Sequence, residues 1–156
     1  LEQRGFNPAV YHTVLVVSTL LGLAANFGGG WLAMRWPLQR LMGVGMAVLA
    51  GSLLLLPAVA SYGQVMAYGL MMGVAGGVVT VVFFSVWRQV YGSEHLGRIQ
   101  GAAQMMTVLA SALGPLALAY SLERTGSYDL IFRMLAVVVA VLGVACWRVP
   151  LPERVP

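Results

Sequence analysis

The chain has 156 residues, of which 60% are hydrophobic and only 9% are charged, whereas about 25% of the residues in an ordinary soluble domain are charged. This composition excludes an ordinary soluble domain and points to an integral membrane protein. The formal net charge of +4 comes from nine arginines and five acids, but the arginines are too scattered to form the basic stripe of a nucleic-acid-binding protein, so we expect no nucleic-acid partner.

Five stretches of the sequence are predicted to cross the membrane as helices. Long runs without charge cover residues 5–34, 41–87 and 99–122, and a shorter one covers 134–147. A spanning helix needs about 20 residues, so the run 41–87 is too long for one helix, and the turn-forming residues that follow Pro57 divide it. The predicted spans of this all-α protein are 9–31, 41–59, 64–87, 99–121 and 129–148.

The first span carries polar residues near both of its ends. His12, near the start, is expected to place a polar aromatic tip at the membrane interface, and a proton-relay role is the less favoured interpretation. Asn26 lies deeper, just before the glycines at 28–30. We expect its amide to serve helix packing, and it remains a candidate for lining a substrate cavity.

The second and fifth spans are aliphatic nearly all round. Residues 41–59 contain Ser52 as their only hydroxyl, and residues 129–148 contain no uncharged polar side chain. Helices of this kind can face lipid, so membrane lipid is their expected partner.

The third span carries a row of glycines, Gly69, Gly73 and Gly77, at four-residue spacing. Such rows of small residues let another helix backbone approach closely. Static close packing is the favoured interpretation, and a helix that bends or slides during a transport cycle is the alternative. Tyr68 and Thr80 add polar groups to the same span and are candidates for lining a substrate path.

The fourth span has one polar face. Its members fall at helical spacing and are Gln100, Gln104, Thr107 and Ser111. A polar face does not point at lipid, so it either hydrogen-bonds to a neighbouring helix or borders a watery cavity. Gly114 and Pro115 follow on the same span, where the glycine favours helix packing and the proline permits a kink.

Constellations that carry enzyme chemistry are missing from the sequence. No Asp, Glu, Lys or His lies in the middle of a predicted span, so no proton relay or cation site can be assigned. Two histidines and one cysteine, without HExxH or CxxC spacing, argue against a metal site, and we expect no cofactor. An enzyme is the least favoured interpretation, because neither a GxSxG motif nor a phosphate loop is present.

The arginines predict the orientation of the chain. Short loops make neighbouring spans antiparallel, and cytoplasmic loops carry an excess of basic residues. One side carries Arg35, Arg40, Arg88, Arg98, Arg148 and Arg154, and the other carries Arg4, Arg124 and Arg133. This distribution predicts an N-terminus outside and a C-terminus in the cytoplasm, with the chain in the cell (inner) membrane.

The first cytoplasmic loop, residues 29–41, reads GGWLAMRWPLQRL. It resembles the loop signature of the major facilitator superfamily, Gly-x-Leu-Ala-Asp-Arg-x-Gly-Arg-Arg, which joins helices 2 and 3 and recurs in degraded form between helices 8 and 9. The matching positions are Gly30, Leu32, Ala33 and Arg35. Met34 replaces the acid and Pro37 replaces the second glycine, so the resemblance is to the degraded copy in the C-terminal half.

Three further segments resemble the same family, in the same order. The link YGSEHLGRIQG, ending at Gly101, is similar to the connection between helices 10 and 11, and the pair Gly114-Pro115 is similar to the Gly-Pro of helix 11. Residues 122–129, LERTGSYD, resemble the external turn before helix 12, with Glu123 in the place of its acid. The resemblance therefore implies helices 8 to 12 of an incomplete C-terminal six-helix bundle, with helix 7 and the N-terminal bundle absent from this chain.

The resemblance also implies a secondary active transporter of a small-molecule substrate, in which two bundles rock about a midplane site. The residues expected at a cytoplasmic gate, in contact with the missing N-terminal bundle, are Gly30, Arg35, Arg40, Arg88 and Arg98. The candidates for lining the substrate cavity are Asn26, Tyr68, Thr80, Gln104, Thr107 and Ser111. The alternative is a small non-transporting membrane scaffold that binds partner helices through its glycine rows.

Overall fold

The computed structural model describes residues 8–149, which form five α-helices joined by short loops. They are α1 (Pro8–Ala33), α2 (Leu38–Leu55), α3 (Tyr62–Tyr91), α4 (Leu96–Thr125) and α5 (Asp129–Arg148), and a 3₁₀ turn, Leu56–Ala58, follows α2. Residues 8–149 contain no β-strand. All five helices are long and apolar enough to cross a membrane, which confirms the predicted all-α membrane fold with five spans. Arg4 and Arg154, two of the arginines behind the predicted orientation, lie outside the described residues.

Four of the helices run past the predicted ends of the spans. The longest, α3 and α4, contain 30 residues each, or about 45 Å of helix against a hydrocarbon core about 30 Å thick. α3 continues beyond Arg88 to Tyr91, because a charged side chain marks the edge of the hydrocarbon layer without ending the helix. The surplus length is accommodated by tilt or by helix ends that extend into the headgroup layer.

The ends of the long helices are fixed by specific residues. α3 begins with a capping box, in which the Ser61 hydroxyl accepts from the Gln64 amide N–H at 3.4 Å and the Gln64 side-chain oxygen accepts from the Ser61 amide N–H at 3.2 Å. α3 and α4 end at Gly92 and Gly126, both with φ of +69°, a backbone conformation that glycine adopts without steric cost. The chain therefore leaves both helices through sharp turns.

Helix α3 is the centre of the packing. α1 lies along one of its sides, α2 lies against another, and α5 packs on α2. Two small hydrophobic cores hold these helices together, one near each end of the bundle. The core near the α1–α2 loop contains Ala33, Leu38, Leu41 and Val82. The core near the α2–α3 loop contains Val14, Val59 and Val65.

Helix α2 is more enclosed than its aliphatic sequence suggests, because small residues let its neighbours approach closely. A Cβ added at Gly43 would lie 3.1 Å from Cε3 of Trp147, and one added at Gly143 would lie 2.9 Å from Cβ of Met46. α2 is thus held between α3 and α5. The expectation of a lipid-facing helix fits α5 better, where side chains such as that of Val137 are exposed.

Helix α4 stands apart from the other four. None of the residues in its most apolar stretch is buried against the rest of the chain, and Ser121, near its end, is its one buried residue. It makes few contacts with α3 and with α5. α4 therefore has most of its surface accessible, including its polar face.

Candidate functional site

The glycine row of α3 packs directly against the backbone of α1. A Cβ added at Gly69 would lie 2.9 Å from Cγ1 of Val14. At Gly73 it would collide with the carbonyl oxygen of Ser18, and at Gly77 it would lie 2.5 Å from the carbonyl oxygen of Gly22 and 2.6 Å from Cβ of Ala25. The two helices advance together, four residues at a time, so they run parallel. The contact is close packing of two helix backbones, and whether it slides during a transport cycle stays a prediction.

The residues of α1 that receive the glycine row are themselves small, and the sequence interpretation missed them. Ser18 and Gly22 lie one turn apart on the face that meets α3. Their spacing repeats that of the glycines, and this repeat is the signal that could have identified α1 as the partner. With a small residue on each side, the carbonyl oxygens of α1 come close enough to the glycine Cα atoms for weak C–H···O contacts.

Three of the predicted cavity residues lie apart from one another. Asn26 is half-buried at the contact between α1 and α3, where its backbone nitrogen is 3.0 Å from a Cβ added at Gly77. Tyr68 is half-buried and packs against the hydrophobic core near the α2–α3 loop. Thr80 is exposed, and its hydroxyl donates to the carbonyl of Gly76 in its own helix at 2.7 Å. The structure therefore places Asn26 and Tyr68 within helix packing and leaves Thr80 accessible.

The polar face of α4 begins at a hydrogen bond to α3. The side-chain nitrogen of Gln100 donates to the carbonyl oxygen of Phe84 at 3.1 Å, so the face of α4 that carries Gln100 is turned toward α3. Gln104, Thr107 and Ser111 share that face because they follow Gln100 at helical spacing, and all three are exposed. The Thr107 hydroxyl donates to the carbonyl of Ala103 at 3.0 Å.

Thr80 stands on the corresponding face of α3. It precedes Phe84 by four residues, which places both on one side of the helix, and it is exposed. α3 and α4 are antiparallel and touch where Gln100 meets Phe84. One turn further from the loop, Thr80 of α3 therefore lies at the same level as Gln104 of α4. We refer to Thr80 of α3 with Gln104, Thr107 and Ser111 of α4 as the open face, since neither helix covers the other there.

Gly114 does not have the packing partner expected for it within residues 8–149. A Cβ added at Gly114 would meet nothing within 4 Å, so no helix among residues 8–149 packs on this glycine. The reason is that α4 stands away from its neighbours over most of its length. Pro115 lies inside a helix that continues unbroken to Thr125.

The four predicted gate arginines lie at one end of the bundle, in or beside the α1–α2 and α3–α4 loops. Arg35, Arg40, Arg88 and Arg98 are all exposed. The guanidinium carbon of Arg35 lies 4.1 Å from the centre of the Trp31 ring, a cation–π contact that holds the side chain at the loop. A Cβ added at Gly30 would have open space around it.

An aromatic row lies at the same end of α3, and the sequence interpretation missed two of its members, Trp87 and Tyr91. Phe83 packs edge-on against Phe84 and against Trp87, at 5.2 and 6.1 Å between ring centres, and Trp87 stacks on Tyr91 at 6.2 Å. Trp and Tyr close to a charged helix end are typical of a membrane interface, and that pattern was the available signal. Within residues 8–149 no group of three His, Cys, Asp or Glu side chains could hold a metal ion.

Comparison with known proteins gives one positive result. The whole chain, residues 1–156, matches the family model described as Major Facilitator Superfamily. No significant match was found among curated proteins or solved structures. The family match covers all five helices, including both sides of the open face and the loops that carry the arginines.

Proposed function

We propose, from the premise that this chain belongs to the major facilitator superfamily, that it is the C-terminal part of a secondary active transporter that moves a small solute by alternating access. Members of this family are membrane transporters, and the five apolar helices agree with an integral membrane protein. The proposal adds to the family membership that the chain moves a small solute and that it pairs with an N-terminal bundle.

The open face is the observation that carries the proposal. Polar side chains in a membrane helix are costly unless they meet protein or water. Gln104, Thr107 and Ser111 are exposed along a helix that is otherwise rich in apolar residues, and Thr80 is exposed opposite them. Thr80 and Thr107 already donate to backbone carbonyls of their own helices. A water-filled substrate cavity between this face and the proposed N-terminal bundle would supply partners to Gln104 and Ser111 and would keep all four side chains away from lipid.

We place a cytoplasmic gate at the arginine-rich end of the bundle. Arg35, Arg40, Arg88 and Arg98 extend from two neighbouring loops with exposed side chains, and guanidinium groups are suited to contacts with carboxylates or carbonyl oxygens of a second bundle. Gly30 lies in the last turn of α1, at the same end of the bundle, and has open space around it. The same arginines support an orientation with this end in the cytoplasm of the cell (inner) membrane.

The packing of the glycine row favours a transporter over a non-transporting scaffold. A scaffold was expected to bind partner helices through Gly69, Gly73 and Gly77, but α1 of the same chain already occupies that row. The surface left open is polar rather than glycine-rich, and a polar surface suits a solute pathway better than close helix pairing.

Cysteine accessibility tests the cavity without requiring knowledge of the solute. Gln104→Cys, Thr107→Cys and Ser111→Cys are made singly in the full-length protein, with Cys146 and any other native cysteines replaced by serine. Cells or vesicles are then treated with a water-soluble, membrane-impermeant thiol reagent. We expect these positions to react at least about ten-fold faster than a lipid-facing cysteine, because a thiol must ionise in water to react.

Leu109→Cys is the matched control. Leu109 is exposed and lies between Thr107 and Ser111 in sequence, but helical geometry turns it to the opposite side of α4. Protection of Leu109→Cys combined with reaction on the polar face supports the cavity. Equal reactivity at all four positions, or protection of the three polar positions from both sides of the membrane, would refute it.

A further inference from the structure

An open groove of about 520 Å³ lies between the last turns of α3 and the first turns of α4. Its lining residues are Trp87, Arg98, Ile99, Ala102, Ala103 and Met106. One of these side chains is cationic, one is an indole and four are apolar, so the groove is amphipathic. It lies at the arginine-rich end of the bundle, where both helices reach the edge of the hydrocarbon layer.

The polar end of the groove offers several groups to an anion. Arg98 is exposed in the first turn of α4. That turn contains no acidic residue, and the N-cap residue His95 makes no side-chain capping hydrogen bond. The N–H groups of Arg98 and Ile99 already donate to the His95 carbonyl, so the contribution of the helix is the positive end of its dipole, which adds to the charge of Arg98.

Trp87 supplies a donor that lacks an acceptor. Its indole nitrogen Nε1 is buried and has no hydrogen-bond partner in the described part of the chain, and an unpaired buried donor is unfavourable. Indole can donate but not accept, so the missing partner is a hydrogen-bond acceptor, a role that a phosphate or ester oxygen can fill. Phe83 and Tyr91 pack against the ring, so a lipid oxygen reaches Nε1 only when the atoms that cover this nitrogen move aside.

The apolar part of the groove runs along α4 toward the membrane centre. From Ile99 to Met106 the helix rises about 10 Å at 1.5 Å per residue. The surface is made of small and flexible side chains, Ala102, Ala103 and Met106 among them. A segment of acyl chain fits such a strip, with its polar head at the level of Arg98.

We propose that this groove binds an anionic phospholipid of the leaflet at this end of the bundle. The phosphate lies at Arg98 and the first turn of α4, a phosphate or ester oxygen accepts from the indole of Trp87, and the upper acyl chain covers Ile99 to Met106. The site uses Arg98, so it takes that residue out of the proposed gate and leaves the gate to Arg35, Arg40 and Arg88. It does not otherwise depend on the proposed transport function, because a scaffold with the same groove would bind the same lipid.

Lipid-dependent quenching of Trp87 fluorescence tests the proposal. The full-length protein is reconstituted in nanodiscs that contain either phosphatidylglycerol or phosphatidylcholine, each brominated on its acyl chains. Brominated phosphatidylglycerol is expected to quench a component of the emission that the Trp87→Phe variant lacks. Half-maximal quenching is expected at a mole fraction about five-fold lower than for phosphatidylcholine, the factor that one arginine contributes near an anionic surface.

Two arginine variants separate this groove from general surface charge. Arg98→Gln is expected to abolish the preference for phosphatidylglycerol. Arg148→Gln, which removes an exposed arginine from the last turn of α5, is expected to leave the preference intact. The amount of phosphatidylglycerol retained by the Arg98→Gln protein in native mass spectrometry gives a second readout that does not depend on the folding of the Trp87→Phe variant.

Four results would overturn the proposal. Equal quenching by the two lipids would leave only an apolar contact, and a preference that survives Arg98→Gln would place the headgroup elsewhere. Absence of a Trp87 component would mean that protein covers the groove. Displacement of phosphatidylglycerol by soluble glycerol 3-phosphate would identify a free phosphate compound as the ligand. None of these results bears on the cysteine accessibility of the open face, so the proposed function is tested separately.

Discussion

The two flanks of α3 are built in opposite ways. On one flank, Gly69, Gly73 and Gly77 bring α1 into backbone contact over several turns. On the other flank, α4 meets α3 near Gln100 and Phe84 and leaves its polar face uncovered beyond that point. One flank is closed by small residues, and the other is open and polar.

This difference indicates which part of the chain is structurally complete. The contact between α1 and α3 needs no further partner, since each small residue on one helix packs against a small residue or a carbonyl on the other. On the open face, Thr80 and Thr107 donate to backbone carbonyls of their own helices, whereas the side chains of Gln104 and Ser111 are exposed, and polar groups in a membrane require partners. Under the proposed function, the open flank is where water, a solute or the N-terminal bundle contacts the chain.

The largest expected effect comes from disrupting the closed flank. Gly73→Ala places a methyl group against the carbonyl oxygen of Ser18, and the helices must separate to accommodate it. We expect the free energy of unfolding of the full-length protein to fall by about 1–3 kcal/mol, the usual cost of overpacking. Chemical denaturation in detergent micelles measures the change.

Gly76→Ala is the matched control for this substitution. Gly76 lies in the same helix, but a Cβ added there would meet nothing within 4 Å. The variant is expected to be as stable as the parent or to gain up to about 1 kcal/mol, because alanine favours helix more than glycine does. Equal losses at Gly73 and Gly76 would mean that the effect reports helix propensity and not the contact with α1.

The next effect concerns access to the open flank. If the arginine-rich end is a gate, Arg35→Ala should favour the state that is open to the cytoplasm. In a Thr107→Cys background we expect labelling from the cytoplasmic side of inside-out vesicles to rise about five-fold, which corresponds to about 1 kcal/mol for one exposed ionic contact. Arg148→Ala, at the same end but outside the proposed gate, provides the comparison. A similar rise in both variants would reduce the effect to surface charge.

The sequence predicted the closed flank in part. The spacing of Gly69, Gly73 and Gly77 indicated a close helix contact, and the structure provides one. The partner was not identified, because a row of small residues says only that something approaches closely. Ser18 and Gly22 carried the complementary spacing on α1, but a serine and a single glycine are too common in membrane helices to select one partner among four.

The open flank was predicted from helical periodicity but not located in space. Gln104, Thr107 and Ser111 were expected to share a face, whereas their relation to Thr80 depends on the single hydrogen bond from Gln100 to a backbone carbonyl. Every residue has a backbone carbonyl, so the residue type at position 84 does not indicate that its carbonyl accepts a hydrogen bond from Gln100. Gly114 shows the converse: its small size suggested packing, but no helix of the described chain reaches it.

The smallest expected effect comes from the hydrogen bond between α4 and α3, and it tests whether the two helices stop touching beyond Gln100. Gln100→Leu removes the hydrogen bond to the carbonyl of Phe84, and we expect it to cost about 0.6 kcal/mol of unfolding free energy, the average for a side-chain hydrogen bond in a membrane protein. Gln104→Leu, one turn further along the same face, removes an exposed amide and is expected to cost nothing in the same chemical denaturation experiment. If Gln104→Leu proves as costly as Gln100→Leu, the polar face is packed against protein along its length, and the distinction between the two flanks of α3 does not hold in the complete molecule.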